Sequence, residues 1–203
     1  MTNKIIIFDA LDTIQGYKDA PLESSKRFYQ EKIAEAYGMK VDEFLEKVPY
    51  DVQLWMTYFE QQKGNLEPIM LPGADEVIDY VKSRGIRPVV VTADIPESAN
   101  IATKPFTDAG LIDPADVYAI NHVGSKKNPK TWAKVREQYF SGGEIKGVFE
   151  DTQANLQAAI NSYTSDGYLV KHTDSGLSIV SPRIVRGNIS HLMGELEKKL
   201  GEN

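Results

Sequence analysis

An α/β fold, with a parallel sheet covered by helices on both faces and a small all-helical insertion, is what three features of this sequence predict. Short apolar runs recur at spacings that leave room for a helix between them. Amphipathic patterns fill several of those gaps, and strand alternating with helix argues for a parallel sheet. One stretch, from about Tyr17 to Met70, breaks the alternation with helical patterns and no convincing strand.

The first run, Lys4-Ile5-Ile6-Ile7-Phe8, is β-branched and has the length of a strand buried on both faces. Four further strands are predicted over Pro88–Thr92, Asp116–Ile120, Lys146–Phe149 and Gly167–Val170. Helices are predicted over Gly73–Arg84, Pro129–Tyr139 and Thr152–Ser162; the first of these ends in Lys82-Ser83-Arg84-Gly85, cations followed by glycine. In the insertion, one helix runs from Leu22 to Tyr37 and stops at Gly38. A short one covers Asp42–Lys47, and a third, capped by Asp51, runs to Lys63 before Gly64. A compact helical insertion directly after the first strand reads as a lid over the sheet's carboxyl edge; helices that merely lengthen the first crossover are the alternative. The lid reading divides the chain into a core domain, residues 1–16 and 71–203, and a helical cap domain, residues 17–70. Thr173 to Gly187, rich in Ser, Gly and Arg, reads as loop with one short strand, and Ile189–Leu200 as a closing helix.

Composition limits the function. A net charge of −6 argues against a dedicated nucleic-acid binder, because phosphate backbones reward a basic face. The chain has no cysteine, which excludes thiol catalysis, disulfides and cysteine-ligated metals. Asp9 interrupts the first apolar run too early for a signal peptide, and no later run could span a bilayer; a cytoplasmic protein with no membrane partner, monomer or homodimer, is expected.

Open parallel sheets bind ligands at the carboxyl ends of their strands. The residues at those ends are Asp9-Ala10-Leu11-Asp12-Thr13 after the first run and Thr92-Ala93-Asp94 after the second. Lys126-Lys127-Asn128-Pro129 opens a later helix, and Glu150-Asp151 ends the Lys146–Phe149 run. Acids, a hydroxyl and a lysine would converge on one edge. A carboxylate can attack a phosphoryl group only if other charges offset the repulsion between two anions. A hard divalent cation held by carboxylates, with a lysine beside it, supplies that offset.

In order and spacing these segments resemble the motifs of the haloacid dehalogenase superfamily, over essentially the whole chain. Phe8-Asp9-Ala10-Leu11-Asp12-Thr13-Ile14 is similar to the first motif, Thr92 to the second, Lys126 with Pro129 to the third, and Glu150-Asp151-Thr152 to the fourth. Leu71-Pro72-Gly73 is typical of members whose helical cap follows the first motif. The resemblance implies a Rossmann-like core and hydrolysis of a small phosphorylated metabolite through an aspartyl-phosphate on Asp9. It also implies Mg²⁺ held by Asp9, the Leu11 carbonyl and Asp151, with Glu150 as ligand or neighbour. Thr92 and backbone N–H groups such as that of Ala93 would hold the phosphoryl group, and Lys126 would neutralise charge.

The sequence departs from the phosphatase pattern at Leu11, where that pattern has an aspartate serving as general acid and base. Asp12, in a place usually held by glycine, is then either a turn residue tolerating an unusual backbone angle or a substitute acid. The family's metal-independent dehalogenases also lack that aspartate and share Phe8-Asp9-Ala10, but typically carry small polar residues where this chain has Glu150-Asp151. A third reading is a degenerate member that binds Mg²⁺ and a phosphorylated ligand without turnover. The superfamily's phosphonate hydrolases use a cap lysine, and Lys26, Lys32, Lys40 and Lys47 all fall in the insertion. His122, His172 and His191 are scattered without metal-ligand spacing.

Overall fold

The computed structural model describes residues 3–201. Along the chain, β1 (Lys4–Phe8) leads through a turn into β2 (Gln15–Tyr17), then α1 (Ser25–Ala36), α2 (Val41–Lys47), α3 (Tyr50–Gln62) and β3 (Pro68–Met70). Next come α4 (Ala74–Ser83), β4 (Arg87–Thr92), α5 (Pro96–Ala102), α6 (Lys104–Asp108), β5 (Val117–Ala119), α7 (Pro129–Tyr139), β6 (Glu144–Glu150) and α8 (Gln153–Tyr163). The chain continues through β7 (Asp166–Val170), β8 (Ser178–Ser181) and β9 (Ile184–Gly187) to α9 (Ile189–Gly201).

Seven strands form one sheet in the order β5-β4-β1-β6-β7-β9-β8, with every pairing parallel except β8 against β9. β1 is central because its residues are apolar on both faces and need cover on both. Its alternation sorts them: Ile6 and Phe8 join Val77, Ile78 and Leu192 of α4 and α9. Ile5 and Ile7 join Trp132, Val135, Leu156 and Ile160 of α7 and α8. Each such fully buried side chain contributes about 1.5–3 kcal/mol. Phe8, Phe149 and Tyr168 stack across β1, β6 and β7, with centroids 4.9 and 4.4 Å apart. The strand order reverses at β1, with β4 on one side and β6 on the other, so the loops leaving these strands part and open a crevice at their carboxyl ends.

The five predicted strands are all present. Where the structure differs, local chemistry explains it. α1 begins at Ser25 rather than Leu22, since Asp19 and Glu23 adopt left-handed backbone angles that break the first turn. α3 starts at Tyr50 after Pro49, so Asp51 lies inside its first turn instead of capping it. Pro49 disfavours helix at the residue before it, and the helix starts directly after. β3 is a strand within the stretch read as strandless. It pairs antiparallel with β2, and this two-stranded ribbon flanks the helical insertion. Two strands, not one, form between Thr173 and Gly187; β8 is an edge strand with Ile179 largely exposed, so burial left no alternation to read. α5 and α6 fill a gap that carried no helical reading.

The insertion gathers its own apolar cluster from Tyr17, Tyr29, Ile33, Ala34, Phe44 and Leu66. Gly73 opens α4 at φ +80°, and an added Cβ would meet Ile189 Cγ2 of α9; only glycine fits there. Among the described residues no helix is long and apolar enough to cross a membrane.

Candidate active site

Strand ends at the crevice bring the predicted residues together. Asp9, Leu11 and Asp12 after β1, Thr92 and Ala93 at the end of β4, Lys126 before α7 and Asp151 after β6 all line one cavity of about 150 Å³. Glu150 does not line it; its side chain lies fully buried beneath. From the insertion, Tyr29 and Lys26 of α1 and Tyr50, Leu54 and Thr57 of α3 complete the wall.

The Lys126 ammonium, 5% exposed, donates to Asp9 Oδ1 and lies 3.4 Å from Glu150 Oε1. Trp132 fixes the lysine from behind: its indole N–H donates to the Lys126 carbonyl at 2.7 Å, and its ring lies 5.6 Å from Nζ. One carboxylate oxygen from each of Asp9, Glu150 and Asp151 falls within 4.8 Å of the other two. Burial, with the Glu150 charge adding to it, pushes Asp9 up to about 7 in spite of Lys126. Burial also raises Glu150 and, helped by the Asp9 charge, Asp151. Lys126 itself is held above its ordinary value, because Asp9 and Glu150 outweigh the burial that opposes its charge. The two directions are compatible: buried acids share one ammonium, so the lysine stays charged while the acids remain short of positive charge.

Glu150 is tied by both oxygens. Oε2 accepts the Asp151 and Thr152 N–H groups at 2.8 and 3.3 Å, and Oε1 accepts the Asn155 amide as well as Lys126. These bonds orient the loop that presents Asp151, whose Oδ1 accepts the Thr152 hydroxyl at 3.1 Å.

The surroundings of Asp12 bear on both of its readings. Its φ is +60°, the left-handed angle that aspartate tolerates better than most residues. Its buried carboxylate accepts the first N–H groups of α1, Ser25 at 2.9 Å and Lys26 at 3.3 Å. Ser24, the N-cap residue, makes no side-chain cap bond, so Asp12 supplies that cap from thirteen residues upstream and ties the first turn to the insertion. The side chain of Leu11 packs against the insertion's apolar cluster.

Sequence reasoning named Asp94 at a strand end but assigned it nothing. It lines the same cavity, and burial pushes its carboxyl up to about 6 although Ser98 Oγ and the Ile95 N–H each donate to it at 2.8 Å. Tyr50 was not singled out; its hydroxyl donates to the Ala93 carbonyl at 3.2 Å, joining the insertion to β4. Nothing in the sequence shows which side of α3 faces the sheet. Of the insertion's lysines named above, Lys26 is the one at this cavity; Lys32 lines a separate hollow and Lys47 pairs with Glu43. His172 Nε2–H donates to the Thr13 carbonyl, 3.0 Å away, steadying the turn after β1.

No protein-family model matches this sequence, and no curated protein matches it significantly. Solved structures do match. A HAD phosphatase from Thermococcus onnurineus superposes with TM-score 0.60 at 16% identity, over 98% of each chain. A dehalogenase superposes with TM-score 0.59 at 12% identity, also over 98% of each chain. A HAD-superfamily hydrolase from Ehrlichia chaffeensis gives 0.57 at 15%, over 98% of each. Phosphatase and dehalogenase match equally well, so the overall shape does not choose between their chemistries. At these identities the likeness is one of architecture, and the architecture of this chain is the haloacid-dehalogenase-like fold.

Proposed function

We propose that this chain is a Mg²⁺-dependent phosphohydrolase acting on a small phosphorylated metabolite, with Asp9 as nucleophile and residues 17–70 as a cap over the site. The observation that carries the reading is the acidic trio of Asp9, the fully buried Glu150 and the half-buried Asp151 beside the Lys126 ammonium. Its acids are raised by burial and mutual repulsion, the condition a hard cation relieves. Asp9 and Asp151, with the Leu11 carbonyl, are the oxygens to hold it; Glu150, already engaged by four donors, orients them. Bound there, the cation would supply Lewis-acid charge beside the phosphoryl group. A metal-independent dehalogenase would need no cation at that cluster.

The chain's own residues carry the rest. Lys126 holds Asp9 in line and offsets its charge against the substrate's. The Thr92 hydroxyl and the Ala93 N–H bind phosphoryl oxygens. Asp9 attacks phosphorus, forming an aspartyl-phosphate as the leaving oxygen departs, and water then releases phosphate. Side chains of the insertion, among them Tyr29, Tyr50 and Leu54, line the cavity and would contact the part of the substrate beyond its phosphoryl group.

The test is phosphate release from an aryl phosphate and a panel of phosphorylated metabolites. Turnover is expected with Mg²⁺, lost on EDTA and restored by adding Mg²⁺ in excess. Metal-independent halide release from 2-haloacids would instead make the protein a dehalogenase, and Mg²⁺-dependent ligand binding with no product would make it a binder.

Asp12 is proposed as structural on the strength of its bonds to α1. Asp12→Asn keeps an oxygen acceptor and tolerates the positive φ, so turnover is expected to change by less than ~10-fold. A general acid–base removed at that place would cost about 10²–10⁴-fold, and a kcat loss of that size would return Asp12 to the mechanism.

A further inference from the structure

A site that forms and breaks an aspartyl-phosphate needs a proton donor for the departing oxygen and a base for the incoming water. Leu11 cannot be either. Of the carboxylates that line the cavity, Asp9 is bound by Lys126, Asp151 belongs to the acidic trio, and Asp12 is bound by the first turn of α1. The fourth is Asp94, held by the Ser98 hydroxyl and the Ile95 N–H and by no group of the trio. β1 and β4 are paired in parallel with Phe8 level with Val90. The loops that follow therefore leave the same edge of the sheet, and Leu11 in one and Asp94 in the other line a single cavity with Asp9. Asp94 lies two residues past Thr92. Its charge reaches the phenols of Tyr17, Tyr29 and Tyr50, which line the same cavity. A leaving group lying under the insertion would lie among these side chains.

We propose that Asp94 is the general acid–base of this site, filling from β4 the role that Leu11 leaves empty on β1. The proposal rests on the phosphohydrolase reading above. In the first step the protonated Asp94 gives its proton to the leaving-group oxygen as the P–O bond breaks and the Asp9–phosphorus bond forms. In the second, the Asp94 carboxylate takes a proton from water as the water oxygen bonds to phosphorus and the Asp9–phosphorus bond breaks. Alcohol and phosphate leave, and both carboxyl groups return to their starting states. Burial raises Asp94 to about 6, against the hydrogen bonds from Ser98 and the Ile95 N–H, so both forms are accessible near neutrality. The groups facing it are Tyr17 from β2, Tyr29 from α1, Tyr50 from α3 and Ser98 from α5. Tyr50 in turn feels Asp9 and Lys126.

Leaving-group dependence tests this. The full chain, with Mg²⁺, is compared with Asp94→Asn on 4-nitrophenyl phosphate, whose phenolate departs unprotonated, and on an unactivated alkyl phosphate. The variant is expected to lose about 10²–10⁴-fold on the alkyl phosphate. On the aryl phosphate it should still show a stoichiometric nitrophenolate burst followed by slow turnover, because the first step no longer needs an acid and the second still needs a base. On the alkyl phosphate, wild-type kcat/KM should fall as pH rises past the point where Asp94 loses its proton, a fall that Asp94→Asn should lack. Ser98→Ala, which removes one anchor and keeps the carboxylate, should retain the wild-type preference between substrates. Equal losses on both substrates without a burst, no loss on either, or a Ser98→Ala variant that reproduces Asp94→Asn would each overturn the proposal. A wild-type chain that hydrolyses neither substrate overturns the phosphohydrolase reading itself.

Discussion

Asp9→Asn is expected to leave the chain folded and its phosphate release reduced by at least about 10⁴-fold, to background. A carboxamide is isosteric with the carboxylate but does not attack phosphorus. The loss should therefore fall on kcat, with no covalent phosphoenzyme formed from any substrate. Folding should be spared. The amide oxygen still accepts from Lys126, and the lysine keeps Glu150 as its charge partner. Removing an acid that burial and the Glu150 charge hold near 7 relieves repulsion in the trio. A thermal melt no lower than wild type, together with a phosphate-release assay, checks both halves. Activity surviving in a folded variant would remove Asp9 as nucleophile.

Lys126→Met is expected to damage both stability and activity. The lysine is 5% exposed and donates to two buried acids, so its loss leaves Asp9 and Glu150 facing each other without compensation. Breaking a buried pair from one side typically costs about 3–5 kcal/mol. For a chain of this size that lowers the thermal midpoint by on the order of 10 °C. The sign with pH follows from the acids. A carboxyl whose folded pKa is raised, as that of Asp9 is from 3.8 to about 7, keeps in the folded state a proton the unfolded chain has lost. Its cost therefore grows as pH rises through that window. Without the lysine both acids rise further, so the deficit of Lys126→Met against wild type should be larger at pH 8 than at pH 5.5. Melts in metal-free buffer at those two pH values measure it. A variant as stable as wild type at pH 8 would mean the acids are compensated by something other than Lys126.

Much of the sheet was legible because burial writes itself into composition. Ile5-Ile6-Ile7-Phe8 must be covered on both faces, and only a strand with helices above and below does that. The edge hairpin β8–β9 was half missed for the opposite reason, since exposed edge residues such as Ile179 carry no burial pattern. β2 and β3 carry no readable signal because, at three residues each, they are shorter than the run of about four over which alternation can be recognised. In the site, acids and hydroxyl were readable as strand-end residues and the lysine as the opening of a helix, since a parallel sheet delivers its strand ends and the loops after them to one edge.

What the sequence determined by itself is the alternation that builds the core and the order of Asp9, Thr92, Lys126 and Asp151 along it. Only the tertiary structure decided what the neighbouring acids do. Asp12 turns to the N-terminus of α1, Glu150 is bound by four donors, and Asp94 lines the cavity together with Leu11. The physical reason is that a carboxylate's role depends on which donors reach it. Those donors come from segments such as Ser25 and Lys126, placed by packing rather than by nearness along the chain.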